Sequence, residues 1–272
     1  MRIAGAACAV ILLAAMMLPV AAQTADTLKT LTAQRQRIES ADYRASGQLV
    51  YVHAKGKGFT YYSYPITFKA HWFPGVLRVL VEIGTVSKAH ADSSLSTPVP
   101  VHILLEMRPG GKNIILVAYP GDKEPTVLPF DKWSEGLLGT NFSYEDFLET
   151  HYFWAEQAAL GEKKIGARDC DVVKSTPGLA DKTHYTEVTT WLDHTSGFPV
   201  YVDKKLKGGT VKEFTSYGLR QEGGVWSAHQ IEAKISGQAE KALLIIDHGT
   251  PKAKLNEKDF TDAQMIQFQD GK

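Results

Sequence analysis

Three places in the sequence hold side chains of the types that begin a reaction: Asp193-His194, Asp247-His248 and Cys170. A carboxylate beside an imidazole can orient a general base, and a thiol with a lowered pKa is a nucleophile. Neither chemistry develops here. Both Asp-His pairs fall at the ends of expected strands, where a solvated turn accounts for them. Cys170 has apolar-leaning neighbours, Arg168 as its nearby cation and no adjacent histidine base, which describes a buried structural thiol. There is no Gly-x-Ser-x-Gly elbow and no His-Glu-x-x-His helix, and the nine histidines are scattered without ligand spacing. A lipid hydrolase would need a serine that the fold carries to one of those histidines. The expectation is a binding protein, not an enzyme, with no cofactor and no metal.

The chemistry on offer is apolar burial. Tyr62, Tyr64, Ile66, Phe68, Ala70 and Trp72 alternate with more polar neighbours, so one face of a half-buried strand is strongly aromatic. A second aromatic group lies in Leu137–Phe147. There Ser143 is a good helix N-cap, and Glu145 and Asp146 follow where the helix dipole favours negative charge. Phe142 and Phe147 take the two positions of a hydrophobic staple, Gly139 frees the backbone before them, and Tyr152, Phe153 and Trp154 follow. Two readings stand side by side. These rings plug a core, or they form a lid laid across the open face of a curved sheet over a lipid-sized cavity.

The elements that must position these residues are mostly strands. Asp26–Ser40 is expected to be an amphipathic helix, with Leu28, Leu31 and Ile38 near one face. Eleven strands are expected: Gln48–Ala54, Tyr61–Trp72, Val76–Gly84, Val101–Met107, Asn113–Tyr119, Lys164–Val173, His184–Asp193, Pro199–Lys204, Thr210–Tyr217, Val225–Ile235 and Lys241–His248. Glycines at 197, 208, 209, 223, 224 and 237 punctuate them, which argues for an antiparallel meander curled into a barrel or a strongly curved sheet. Pro65 pulls its strand toward an edge or a bulge. Ser87–Pro100 reads as a polar surface loop, and Lys132–Gly161 as a helical interruption near the midpoint.

The N-terminus points to export. Arg2 precedes an uncharged apolar run, Ile3 to Val20, and Val20-Ala21-Ala22 supplies small residues at a cleavage point before Gln23. The run nears the ~18-residue length of a membrane span, but its alanine content and small-residue exit favour a signal peptide over residues 1–22. Cys8 is not placed as a lipidation cysteine, because most of the apolar run comes after it. A single domain over 23–272 would then keep one cysteine, so no internal disulfide can form. Thirty basic side chains balance thirty acidic ones, without basic blocks, which leaves no electrostatic footprint for nucleic acid.

Gly139–Phe147 resembles the Gly-Ser-Asp-Phe-Ser-Tyr-Glu-Asp-Leu signature of the LolA-like outer-membrane lipoprotein-sorting family. The order of weaker features also fits: Tyr119-Pro120, Ile165–Cys170, Trp191-Leu192-Asp193 with Gly197-Phe198-Pro199, Val225-Trp226 before Ile231, and Leu255–Thr261. The likeness runs from about Asp42 to Thr261. Thr140, Asn141, Phe147 and Ala228 depart from it, which leaves the ligand open. The resemblance implies a mainly β (α+β) fold: a curved antiparallel sheet forming an unclosed barrel of about eleven strands, with an N-terminal helix and a central helical lid. It further implies a monomeric periplasmic carrier of lipoprotein acyl chains or another lipid. Partners would be the acylated cargo and an inner-membrane transporter or outer-membrane acceptor. The expected cavity and lid residues are Tyr62, Tyr64, Phe68, Trp72, Leu77, Val79, Val81, Phe142, Tyr144 and Phe147. An envelope sensor or adaptor ranks second, because it would ordinarily bring a second domain or an anchor.

Overall fold

The computed structural model describes residues 18–55, 58–86, 88–90 and 99–268. Most of the expected signal peptide, including Arg2 and Cys8, lies outside the described residues, as does much of the polar loop at 87–100. Helix α1 (Leu18–Glu39) starts earlier than expected and ends one residue short of Ser40. Leu31 and Ile38 are buried two turns apart with Gln34 between them, as a one-faced helix requires. Among the described residues no helix is long and apolar enough to cross a membrane.

Among the described residues, fourteen strands form one antiparallel sheet. In chain order they are β1 (Asp42–Lys55), β2 (Gly58–Phe73), β3 (Val76–Ile83), β4 (Lys88–His90), β5 (Val101–Met107), β6 (Ile114–Ala118) and β7 (Thr126–Val127), followed by β8 (Glu156–Ile165), β9 (Arg168–Thr176), β10 (Tyr185–Asp193), β11 (Pro199–Leu206), β12 (Val211–Glu222), β13 (Val225–Ile235) and β14 (Lys241–Pro251). The spatial order is β7-β6-β5-β3-β2-β1-β14-β13-β12-β11-β10-β9-β8, with β4 beside β2. The two edges do not meet, so this is the unclosed curved sheet that the sequence led us to expect.

Register puts one apolar face on the inside of the curve. One row across the sheet runs Val117, Ile103, Val81, Phe68, Ala45; another runs Tyr64, Leu49, Leu244, Ile231. Directly paired residues point the same way, so these rows form a continuous concave core. The convex side is covered at one end by the C-terminal segment. Leu255, Phe260 and Met265 pack on Leu80, Leu104 and Ala118, and Phe268 stacks on His102 at 3.9 Å.

Several expectations change in detail. Lys164–Val173 is not one strand: it covers the end of β8, the Gly166 turn and the start of β9. Pro65 lies in an interior strand. Its carbonyl accepts from Gly84 N at 2.9 Å just past the end of β3, and its missing N–H falls at the junction where β3 pairs with β2 only from Ile66 onward and β4 only up to Ser63. The central stretch expected to be helical holds short 3-10 turns instead, at Phe130–Lys132, Leu137–Gly139, Tyr144–Phe147 and Thr150–Phe153, and gives way to β8 at Glu156.

Candidate functional site

The topology dictates where the central insert must go. β7 and β8 are consecutive in sequence but lie at opposite edges of the sheet, so the chain between them has to cross the open side. Residues 128–155 make that crossing over the concave core, and α1 lies beside them. Thr30 Oγ1 donates to Asp171 Oδ2 on β9 at 2.5 Å, Arg35 Nε donates to the Tyr152 carbonyl at 2.5 Å, and Arg37 Nη2 reaches both carboxylate oxygens of Glu149 at 2.8 and 2.9 Å.

All ten residues expected to line a cavity come together. Tyr62, Tyr64, Phe68 and Trp72 of β2 and Leu77, Val79 and Val81 of β3 share the concave face, and Phe142, Tyr144 and Phe147 meet them from the insert in a single core cluster. Phe147 packs 5.9 Å from Phe68, Phe142 stacks on Phe147 at 5.8 Å, and Phe142 lies 5.8 Å from Phe214 on β12. The rings therefore bridge the two halves of the curved sheet. The side chains of the insert themselves occupy the concave face.

A buried ionic latch holds the insert down. Lys204 on β11 and Lys212 on β12 are direct cross-strand partners and both are buried on the concave side. Two like charges in that position repel, and burial makes it worse. Asp146 comes down from the insert between them. Lys204 Nζ lies 3.2 Å from Oδ1, Lys212 Nζ donates to Oδ2, and the Tyr185 hydroxyl donates to Oδ1. Burial opposes ionisation of Asp146, but the two lysines outweigh it and hold its pKa well below the ordinary carboxylate value. The same burial, with the charge of Asp146, pushes the Tyr185 phenol well above its usual pKa. Both ammonium groups also approach the Phe214 ring, Lys204 at 4.7 Å.

The motif's other side chains add anchors. Ser143 donates from its backbone N to Asp146 Oδ2 at 2.7 Å and from Oγ at 2.8 Å, closing a single helical turn. Leu148 is extended, so the turn does not continue. Adjacent side chains go to three different parts of the sheet. Phe147 meets β2, Asp146 meets β11 and β12, and Glu145 accepts from Thr183 Oγ1 and the His184 backbone N before β10. His184 Nδ1 lies 2.9 Å from Glu145 Oε2, and its ring stacks on Phe130 at 4.1 Å. Upstream, the 136–143 loop is closed by Leu137 N donating to the Phe142 carbonyl at 2.7 Å. A Cβ on Gly136 would meet the Thr140 carbonyl oxygen at 2.4 Å, so only glycine fits there.

Sequence reasoning missed Lys204, Lys212, Tyr185 and Glu145 as a group. One signal was present: Lys204 follows Val200 and Val202 in phase, and Lys212 precedes Phe214 in phase, so each lysine interrupts an inward-facing apolar row.

The other chemistry-bearing residues resolve into structural roles. Cys170 is buried and its thiol is pushed up to about 11 by burial first and by the nearby Asp193 carboxylate. Asp193 is buried rather than solvated, and its Oδ2 accepts from Ser196 N and Oγ at 3.0 and 2.6 Å to shape the turn before β11. Asp247 and His248 are exposed. Ser143 Oγ accepts from Lys212 Nζ at 3.2 Å, yet the serine is fully buried and the lysine is held by Asp146, so the pair presents no nucleophile. Glu162, Asp171 and His194 bring three ligand atoms within 4.8 Å of one another at the rim, but Asp171 already serves Thr30 and lies 3.3 Å from His194.

Solved structures share this architecture. A DUF1329 family protein from Desulfovibrio piger is 13% identical, with a TM-score of 0.71 over 89% of this chain and 99% of that one. A putative outer membrane lipoprotein-sorting protein domain from Vibrio parahaemolyticus is 16% identical, with a TM-score of 0.70 over 89% of this chain and 100% of that one. A LolA superfamily protein from Nitrosomonas europaea is 15% identical, with a TM-score of 0.57 over 89% and 99%. The fold is therefore LolA-like. No curated protein matches the chain. The chain belongs to the family whose model, described as "-like: Uncharacterized protein", matches residues 119–267. That stretch contains the insert and both latch lysines.

Proposed function

We propose that the protein is an exported, periplasmic carrier that shelters the acyl chain of a lipoprotein or another lipid-like ligand, in a step of outer-membrane lipoprotein sorting. The observation that carries this reading is the aromatic concave face covered by an insert whose own rings fill it. Two of the similar folds come from proteins titled as lipoprotein-sorting or LolA superfamily proteins, which supports the same direction.

The driving force is burial. An acyl chain of about fifteen carbons left in water costs ~12 kcal/mol at ~0.8 kcal/mol per CH2. A face lined by Tyr64, Phe68, Trp72 and Val81 offers equivalent shelter without a bond or a cofactor. Phe142 and Phe147 act as stand-ins for the ligand in the closed form: an incoming tail takes their place, so the face is never left to water. Loading then requires the insert to lift, and the latch at Asp146 sets how readily it does. An inner-membrane transporter as donor and an outer-membrane acceptor would supply and receive the cargo.

Uptake of a dansyl-labelled fatty acid by the mature protein tests this. The expected result is saturable binding near one per chain, with a blue-shifted emission. Absence of uptake by the wild type and by the Asp146→Asn variant alike would overturn the reading.

A further inference from the structure

Beside the latch, a cleft of about 270 Å³ opens between the 134–141 loop of the insert and the ends of β12, β13 and β14. It is too small for a lipid tail and its chemistry is different from that of the core. Lys212, Asn141, Thr140, Gln238 and Glu240 give it polar walls, and Tyr51 connects its floor to the concave core.

Three features of these walls point to one kind of ligand. The Lys212 ammonium has three donors, of which Asp146 and Ser143 take two. Asn141 is 8% exposed, and its Oδ1 accepts no hydrogen bond. An unmet buried amide oxygen is destabilising, and a ligand donor that satisfies it relieves that cost. At the other end stands Glu240, whose neighbour is His53 at the loose distance of 3.6 Å. Lys212 pairs with Ile235 on β13, and Glu240 immediately precedes β14, so the positive and negative ends lie two strands apart. At ~4.8 Å per strand that is about 10 Å between backbones.

We propose that this cleft receives a zwitterionic phospholipid head group of the phosphoethanolamine type. Its phosphate meets Lys212 and Thr140, and its primary ammonium meets Glu240 and the Asn141 amide oxygen. A phosphate and an ammonium two carbons apart, with a hydrogen bond of about 3 Å at each end, have a reach of the same order as that two-strand spacing. The tail would pass Tyr51 into the concave core, and in that respect the inference rests on the carrier reading. An anionic head without the ammonium brings a phosphate toward Glu240 with no cation of its own to answer the carboxylate, so the cleft selects against it.

The test is calorimetric titration of the mature protein with dihexanoyl phosphatidylethanolamine and dihexanoyl phosphatidylglycerol, both below their micelle concentrations. The tails are identical, so any difference is read at the head. The proposal expects at least tenfold tighter binding of the ethanolamine lipid, and loss of that preference in Glu240→Gln, a change on a partly exposed side chain that leaves the core intact. Equal affinities in the wild type, or a preference that survives Glu240→Gln, would overturn it while leaving fatty-acid uptake and the carrier reading standing. If neither lipid nor the dansyl fatty acid binds, phosphorus NMR with glycerophosphoethanolamine decides the head site alone. Broadening that Glu240→Gln abolishes would keep it, and an unperturbed signal would remove it.

Discussion

Lys204 and Lys212 face each other on an apolar surface, and Asp146 supplies the counter-charge they share. Replacing Asp146 by Asn removes the shared counter-charge and leaves two buried ammonium groups side by side. Breaking a buried ion set by deleting one partner costs about 3–5 kcal/mol, so urea denaturation of Asp146→Asn should show a loss of that size. A variant within 1 kcal/mol of wild type, on the order of a surface change, would mean the latch does not hold the insert. The pH dependence has a definite sign. Because the folded pKa of Asp146 is depressed, its contribution is complete above the ordinary carboxylate range and is lost only in strong acid. His102 and His151 behave differently: burial lowers both, so the fold keeps them neutral while the unfolded chain protonates near pH 6.5. Their contribution is complete above about pH 6.5 and declines as pH falls toward their lowered folded values. Thermal melts should therefore drop between pH 7 and pH 5, with a shallower drop in His151→Gln. A flat profile would contradict the burial of these rings as neutral groups. At this scale the Ser143 cap and the Phe142–Phe147 staple were legible in the sequence, since both are local. Asp146's lysine partners lie 58 and 66 residues away, and no short-range pattern joins them.

β1 is the seam between the two halves of the sheet, with β2 on one side and β14 on the other. Its register against β14 slips between Ser46 and Gly47, where the backbones come together so closely that a Cβ on Gly47 would fall 1.8 Å from the Ile245 carbonyl oxygen. A bulge of this kind bends a strand and sharpens the local twist. Gly47→Ala must push backbone rather than a flexible side chain, so it should cost at least the ~1–3 kcal/mol of an overpacked core. A melting temperature equal to wild type would show that the seam can relax. Long alternating strands such as β2 and β13 could be read from period two, with boundaries a few residues off. β8 could not: Gln157, Ala158, Ala159, Leu160 and Gly161 show no alternation of polarity, because it is an edge strand with one strand neighbour and a helix beside it. The insert, conversely, carries helix-start chemistry but makes one turn, since its anchors at Glu145, Asp146 and Phe147 pull to separate places.

For the molecule as a whole, the order of strands is the functional statement. A meander out to β7 and a second meander back from β8 to β14 leave the edges apart and force the connecting segment across the mouth. The sheet class was legible from turns and alternation, and its inward face from the aromatic register of β2. What fills the concave side was not, because core and cavity use the same residue types. That question is settled most directly by native mass spectrometry of the protein purified from its own cells, with extraction of whatever travels with it. A carrier should bring with it a bound acylated molecule at near-unit stoichiometry, retained by the wild type and lost more readily by Asp146→Asn. A clean unliganded mass for both, with no lipid in the extract, would contradict it and make the aromatic face a closed core.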